Sequence, residues 1–178
     1  MDETNVEQPQ TEEAVGSEVE IKNMPAMTVM AIEHRGPYTE LESVMDQLIS
    51  WVMREGHPYS GPPFAILYDD PQYVAESDLR SEVCVPMEED LQGKDNVVRK
   101  QMPALTMAAS IHKGPYHEVH KAYEVIFDYL NEHGYEYKAV YGCHEAYLNS
   151  PVDIESEEQM VEVRVPIGKP AEQKEEEA

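Results

Sequence analysis

A chain of 178 residues that is 41% hydrophobic can bury one ordinary core without disulfide or metal staples. Its 36 acidic and 13 basic residues give a formal charge of −23, which argues against a nucleic-acid backbone or an anionic membrane surface as partner. The same charge favours solubility and the attraction of cations.

The charge is concentrated at the ends. Residues 1–18 carry six acids and no base, and residues 169–178 carry four acids and two lysines. Neither stretch has apolar periodicity, so both are expected to be disordered tails around one domain at 19–168. The acidic N-terminus does not read as a signal or transit peptide. No apolar run approaches the roughly 18 residues of a membrane span. Cys84 and Cys143 are far apart, without metal or redox spacing. Reduced thiols, a cytoplasmic setting, no cofactor and no metal are the expectations.

In chain order, the first notable feature is a block that occurs twice. Residues 24–38 read MPAMTVMAIEHRGPY and residues 102–116 read MPALTMAASIHKGPY, with nine of fifteen positions identical. The likeness continues with drift, pairing Gly56 with Gly134, Tyr68 with Tyr147 and Pro71 with Pro151. Two copies do not make a solenoid; the chain is a duplicated half-domain, with halves at 19–95 and 96–168.

Each half reads alike. Met27 to His34, and Leu105 to His112, are strands. Gly-Pro then breaks the strand at a helix approach. A helix comes next over about 38–55, with Leu41, Val44, Met45, Leu48 and Val52 at helical spacing. Its counterpart spans about 116–132, with Val119, Tyr123, Ile126, Phe127 and Leu130. Gly56 and Gly134 stand where a left-handed C-terminal residue is expected. Strands near 63–69 and 81–86, and near 140–148 and 160–166, complete a β-α-β-β unit repeated twice. The expected class is α+β, an antiparallel sheet with two main helices about a pseudo-two-fold. The seam between the halves is the natural place for a pocket.

The order of strand, Gly-Pro-aromatic, helix and a Tyr-to-Pro turn, twice over (Tyr-Asp-x-Pro at Tyr68–Pro71, with drift at Tyr147–Pro151), resembles the GyrI-like small-molecule-binding family. This family includes gyrase-inhibitory proteins and effector domains of AraC-type and MerR-type regulators. The local matches are Leu48-Ile49-Ser50-Trp51-Val52, Ala65-Ile66-Leu67-Tyr68-Asp69-Asp70-Pro71 and Cys143-His144-Glu145-Ala146-Tyr147-Leu148-Asn149. The resemblance implies a pocket between the halves with a carboxylate at the position of Glu145, facing bound cations among aromatics. It also implies a branch that hydrolyses cyclopropane-bearing natural products with a glutamate and a tyrosine.

Beside that resemblance, Glu145 lies on a strand whose alternation puts Cys143, Glu145 and Tyr147 on one face. Its aligned position in half one is about Ile66, so only one half carries the carboxylate. Tyr147 and Tyr68 read as repeat equivalents that offer ring faces and hydroxyls. Trp51, off the main helical stripe, is a candidate pocket wall. Tyr38 and Tyr116 follow the two Gly-Pro breaks and complete the candidate ligand-binding set. His117-Glu118-Val119-His120 is one residue short of a zincin motif and reads as a helix surface. His34 and His112 read as parts of the strand-to-helix corners.

Three functions are open to such a domain. The first is binding of a small amphipathic cation or aromatic, for sensing or sequestering a drug or xenobiotic. The second is hydrolysis of a strained xenobiotic by Glu145 and Tyr147. The third is interaction with a protein such as DNA gyrase or a regulator. Direct nucleic-acid and membrane binding are not expected.

Overall fold

The computed structural model describes residues 18–56, 58–88, 90–149 and 155–168. The tails, residues 1–17 and 169–178, lie outside this range. The first half comprises β1 (Glu20–Met24), β2 (Met27–Arg35), α1 (Leu41–Arg54), β3 (Phe64–Leu67) and β4 (Arg80–Pro86). The second comprises β5 (Val98–Met102), β6 (Leu105–Lys113), α2 (His120–His133), the short β7 (Glu136–Tyr137), β8 (Cys143–Tyr147) and β9 (Met160–Gly168). The α+β class with two main helices is as expected. Each half has a strand at its front that the sequence did not suggest, and the second half also has the two-residue β7 after its helix. β1 reads EIKNM and β5 reads VRKQM. They are short, polar edge strands with no apolar alternation to reveal them.

Local chemistry explains the helix starts. Gly36 (φ 138°) and Gly114 (φ 128°) turn the chain out of β2 and β6. Pro37 and Pro115 then set an extended approach to single 3-10 turns at Tyr38–Glu40 and Tyr116–Glu118. The His112 ring closes its corner by donating from Nε2 to the Pro115 carbonyl at 2.9 Å. In α1, Leu41, Val44, Met45, Leu48 and Val52 form the buried face. α2 ends at Gly134 (φ 70°), whose N–H bonds the Leu130 carbonyl.

All sheet pairs are antiparallel, in the order β1-β6-β9-β8-β3-β4-β2-β5, with β7 added on β9. The order is its own image under the duplication. The pseudo-two-fold passes through the central pair, β3 and β8, which is registered Phe64↔Ala146, Ala65↔Glu145, Ile66↔His144 and Leu67↔Cys143. Each half lends its first strand to the other: β1 pairs with β6, and β5 pairs with β2. Only Pro25 and Ala26 separate β1 from β2, and only Pro103 and Ala104 separate β5 from β6. The sheet must therefore curl until its two edges approach.

Curling encloses the face without helices. There Phe64 and His144 stack at 5.2 Å beside the dyad. Met24, Met27, Met102 and Met107 close over them around a hollow of about 10 Å³, room for about one water. Two buried carboxylates flank this face symmetrically. Glu162 takes Lys22 Nζ at 2.8 Å, and Glu82 takes Lys100 Nζ at 2.7 Å. Both lysines come from the exchanged strands, so the ion pairs tie each lent strand to its host half.

Pleat parity corrects the alignment of the halves. β4 starts at Arg80 and β9 at Met160, 80 residues later. Facing residues of β3 and β8 share a side of the sheet only if equivalents are an even number apart. Glu145 therefore corresponds to Ala65 rather than Ile66, Tyr147 corresponds to Leu67, and Tyr68 corresponds to Leu148. Matching Tyr68 with Tyr147 by identity shifted the register by one residue.

Gly142 shows how tightly β8 is seated. It has φ 66°, and a Cβ there would lie 2.7 Å from Ile66 Cγ2 and 3.0 Å from the Leu67 carbonyl oxygen. At Gly134 (φ 70°) a Cβ would meet nothing within 4 Å. Gly142→Ala should cost about 2–4 kcal/mol from strain plus overpacking, and Gly134→Ala about 1 kcal/mol from strain alone. Urea midpoints of the two variants check the order.

Candidate functional site

α1 rests on β2 and β4, and α2 on β6 and β9. The central strands β3 and β8 are thus left as the floor of a groove between the helices. Alternation points Ala65, Leu67, Cys143, Glu145 and Tyr147 to this side. The lone carboxylate among them is Glu145, only 1% exposed. Tyr116 donates its hydroxyl to Oε2 at 2.5 Å, and Tyr123 donates to Oε1 at 2.7 Å. Tyr147 packs beside them on the α1 side. Among the described residues no basic side chain is within ion-pairing distance of Glu145.

The electrostatics follow from that arrangement. Burial raises the Glu145 carboxyl above the usual carboxylate range, while the two tyrosine hydroxyls pull it partly back. Burial, then the nearby Glu145 charge, pushes the Tyr116, Tyr123 and Tyr147 hydroxyls well above their usual range. They remain neutral donors at any physiological pH. Cys143 is pushed up to about 11, first by burial, and stands 3.3 Å from the Tyr137 hydroxyl. The Tyr137 ring meets Phe127 of α2 edge-on at 5.2 Å. The floor between the helices thus holds a buried carboxyl whose partners are tyrosine hydroxyls. A carboxyl so placed can hold or deliver a proton.

The sequence candidates divide between places. Glu145, Tyr147 and Tyr116 come together. Tyr38, the counterpart of Tyr116, faces no carboxylate because Ala65 stands where Glu145 would be. Its hydroxyl donates to the Asp69 carbonyl at 2.6 Å and accepts from the Asp69 N–H at 3.0 Å, fastening a loop. Tyr68 lies on the opposite face, donating to Glu82 Oε1 at 2.7 Å. Trp51 is on the outer flank of α1, beside Ile32 and residues 94–97, and not with Glu145. Parity accounts for Tyr68, and the helical position off the stripe sends Trp51 outward.

Tyr123 and Tyr137 are groove residues that the sequence did not single out. Tyr123 read as one apolar member of the helical stripe. Its spacing of seven from Tyr116, two helical turns, was the available signal. Tyr137 sits in a two-residue strand with no periodicity to read. The hydroxyl roles predict a contrast. Tyr116→Phe removes a donor from a buried carboxylate and should cost about 1.5–3 kcal/mol at pH 8. Tyr38→Phe loses only backbone bonds and should cost about 1 kcal/mol. Thermal denaturation of both variants gives the comparison.

Comparison with solved structures supports the fold. The C-terminal domain of EcmrR is 23% identical, with a TM-score of 0.75 over 85% of this chain and 98% of that one. EcmrR in a DNA complex gives 21% identity and the same TM-score over 85% of this chain, which spans only 57% of that protein. A hydrolase from Listeria innocua is 11% identical, with a TM-score of 0.65 over 88% of this chain and 94% of that one. SAV2435 bound to tetraphenylphosphonium is 10% identical, with a TM-score of 0.54 over 85% of this chain and 94% of that one. At these identities the likeness is one of fold. Comparison with curated protein sequences gives no significant match. No helix among the described residues is long and apolar enough to cross a membrane. The profile of the GyrI-like small molecule binding domain matches residues 17–168, nearly the whole chain, and the protein therefore belongs to the GyrI-like small-molecule-binding family.

Proposed function

We propose that the groove between α1 and α2 binds a small amphipathic organic cation, with Glu145 as its counter-ion and Tyr116, Tyr123 and Tyr147 as its aromatic walls. One observation carries this reading: a carboxylate 1% exposed has only hydroxyl partners and no basic one among the described residues. A buried, uncompensated carboxylate costs folding energy, and a bound cation removes that cost. Tyr116 is the gate. The residue is 44% exposed while its hydroxyl covers Glu145, so rotation about its side-chain bonds would uncover the carboxylate. SAV2435, of the same fold, has been solved with a lipophilic cation, which suggests the probe.

The test is calorimetric titration of the full chain with tetraphenylphosphonium and with the neutral triphenylphosphine oxide. Saturable binding of the cation, at least tenfold tighter than the neutral compound, is expected. Equal affinities, or no saturable binding of the cation, would remove the proposal.

The pairing of Glu145 with tyrosine hydroxyls also favours a second reading, hydrolysis of a strained electrophile. A carboxyl raised by burial can donate a proton to the opening ring and afterwards activate water. Turnover of a cyclopropane-bearing alkylating compound, lost in Glu145→Gln, is the result that reading requires. Binding without product in the wild type would exclude it for that substrate.

A further inference from the structure

We propose that the outer flank of α1 carries a second small-molecule site, distinct from the groove, for an aromatic compound bearing a single anionic group. An open cleft of about 490 Å³ lies there between α1 and the loop at 94–97. Buried Ile32 and Val97 form its floor, and Trp51, the chain's only tryptophan, forms a wall. Arg54 and Lys94 stand on its rim.

Two independent observations point to the ligand. The first concerns charge. Of the eleven described lysines and arginines, nine are ion-paired with described acids. The two without such a partner are Arg54 and Lys94, and both line this cleft. In a chain of net charge −23, these are the two described bases open to an anionic group, and Asp46 and Asp95 of the same cleft balance them in formal charge. The second concerns stacking. Gly56 and Gly134 are 78 residues apart, and the same offset makes Tyr129 of α2 the counterpart of Trp51. Tyr129 stacks on His133 at 4.0 Å and on Tyr135 at 6.1 Å. Trp51 has no ring partner among the described residues. The Trp51 ring, which lines the cleft, is thus open to stacking by a ligand ring.

The acids in the cleft limit what fits. Asp46 lies two helical turns before Arg54, about 12 Å along the axis, and Asp95 adjoins Lys94. A second anionic group on the ligand would meet one of them. Screening over about 8 Å at physiological salt keeps the remaining acidic surface from deciding the matter.

The single tryptophan gives one indole N–H resonance, which makes the test direct. The 15N-labelled chain is titrated with 2-naphthoate and with the neutral 2-naphthamide. The expected result is a saturable shift of that resonance by 2-naphthoate, with the amide at least tenfold weaker. The double variant Arg54→Gln/Lys94→Gln, both exposed and so harmless to the fold, should lose tenfold or more. Glu145→Gln should bind 2-naphthoate as the wild type does. A shift linear in ligand, equal affinity for the amide, an unaffected double variant, or a loss in Glu145→Gln would each overturn the proposal.

Discussion

Glu145→Gln should abolish most of the affinity for tetraphenylphosphonium and at the same time make the free protein more stable. The neutral amide keeps the size of the side chain and can still accept a tyrosine hydroxyl. What it loses is the charge. The cation then meets only dipoles and ring faces, a loss of at least about 2 kcal/mol, or about 30-fold in affinity. In the free protein the same change relieves an anion buried without a basic partner among the described residues. A gain of about 1–2 kcal/mol results at pH 8, read as about 2–8 °C in melting temperature. The sign with pH is set by the raised carboxyl. Its neutral form is favoured by folding, so its contribution is fully present below the unfolded value of about 4.3 and is lost as pH rises through the folded value. The variant's advantage should therefore be largest at alkaline pH and vanish towards pH 4. Binding of a permanent cation should run the other way and strengthen as pH rises through the same value. Opposite changes in stability and affinity mark a residue kept for function.

Glu162→Ala should be the most damaging single change on the helix-free face. Glu162 accepts from Arg164 Nε at 2.5 Å and from Lys22 Nζ at 2.8 Å. Arg164 is only 8% exposed and cannot reach water when its partner is gone, so the cost is about 3–5 kcal/mol. The equivalent Glu82→Ala should cost about 1–2 kcal/mol. It frees Lys100, which can turn towards solvent, and the half-buried Tyr68 hydroxyl, while the residue matching Arg164 in that half is Cys84. Burial alone would raise the Glu162 carboxyl, but Lys22 and Arg164 outweigh it and hold the group below the usual range. A lowered carboxyl contributes stability above about pH 4.3, and that stability is lost as pH falls through the folded value. The gap between wild type and Glu162→Ala in urea titrations should therefore narrow in acid.

The repeated block made the architecture legible, because Met-Pro-Ala and Gly-Pro-Tyr impose backbone breaks that leave few conformations open to the residues after them. The helices were readable from Leu41, Leu48 and Val52, whose spacing needs no tertiary context. β1 and β5 were not readable, since an edge strand with one partner has no need of alternating apolar residues. The strand exchange was equally hidden, because Pro25 and Ala26 look the same whichever sheet edge they lead from. In the site, Glu145 stood out by lacking an acidic twin. Its true counterpart, Ala65, emerged only from the register of β3 with β8. Tyr68 was misplaced for the same reason: one residue of drift reverses a side chain's face, and sequence identity does not sense the pleat. The roles of Tyr116, Tyr123 and Tyr38 depend on where each hydroxyl ends. That is a matter of packing between elements far apart in the chain.

The proposed role of Glu145 is that of a buried carboxylate, without a basic partner among the described residues, that receives a cation. Carboxyl 13C NMR of selectively labelled glutamate, assigned through Glu145→Gln, measures its titration directly in the free protein and with tetraphenylphosphonium bound. The expected midpoint lies above the ordinary glutamate range in the free protein and falls when the cation binds, because the bound charge favours the anion. A midpoint in the ordinary range, unmoved by the cation, would contradict it.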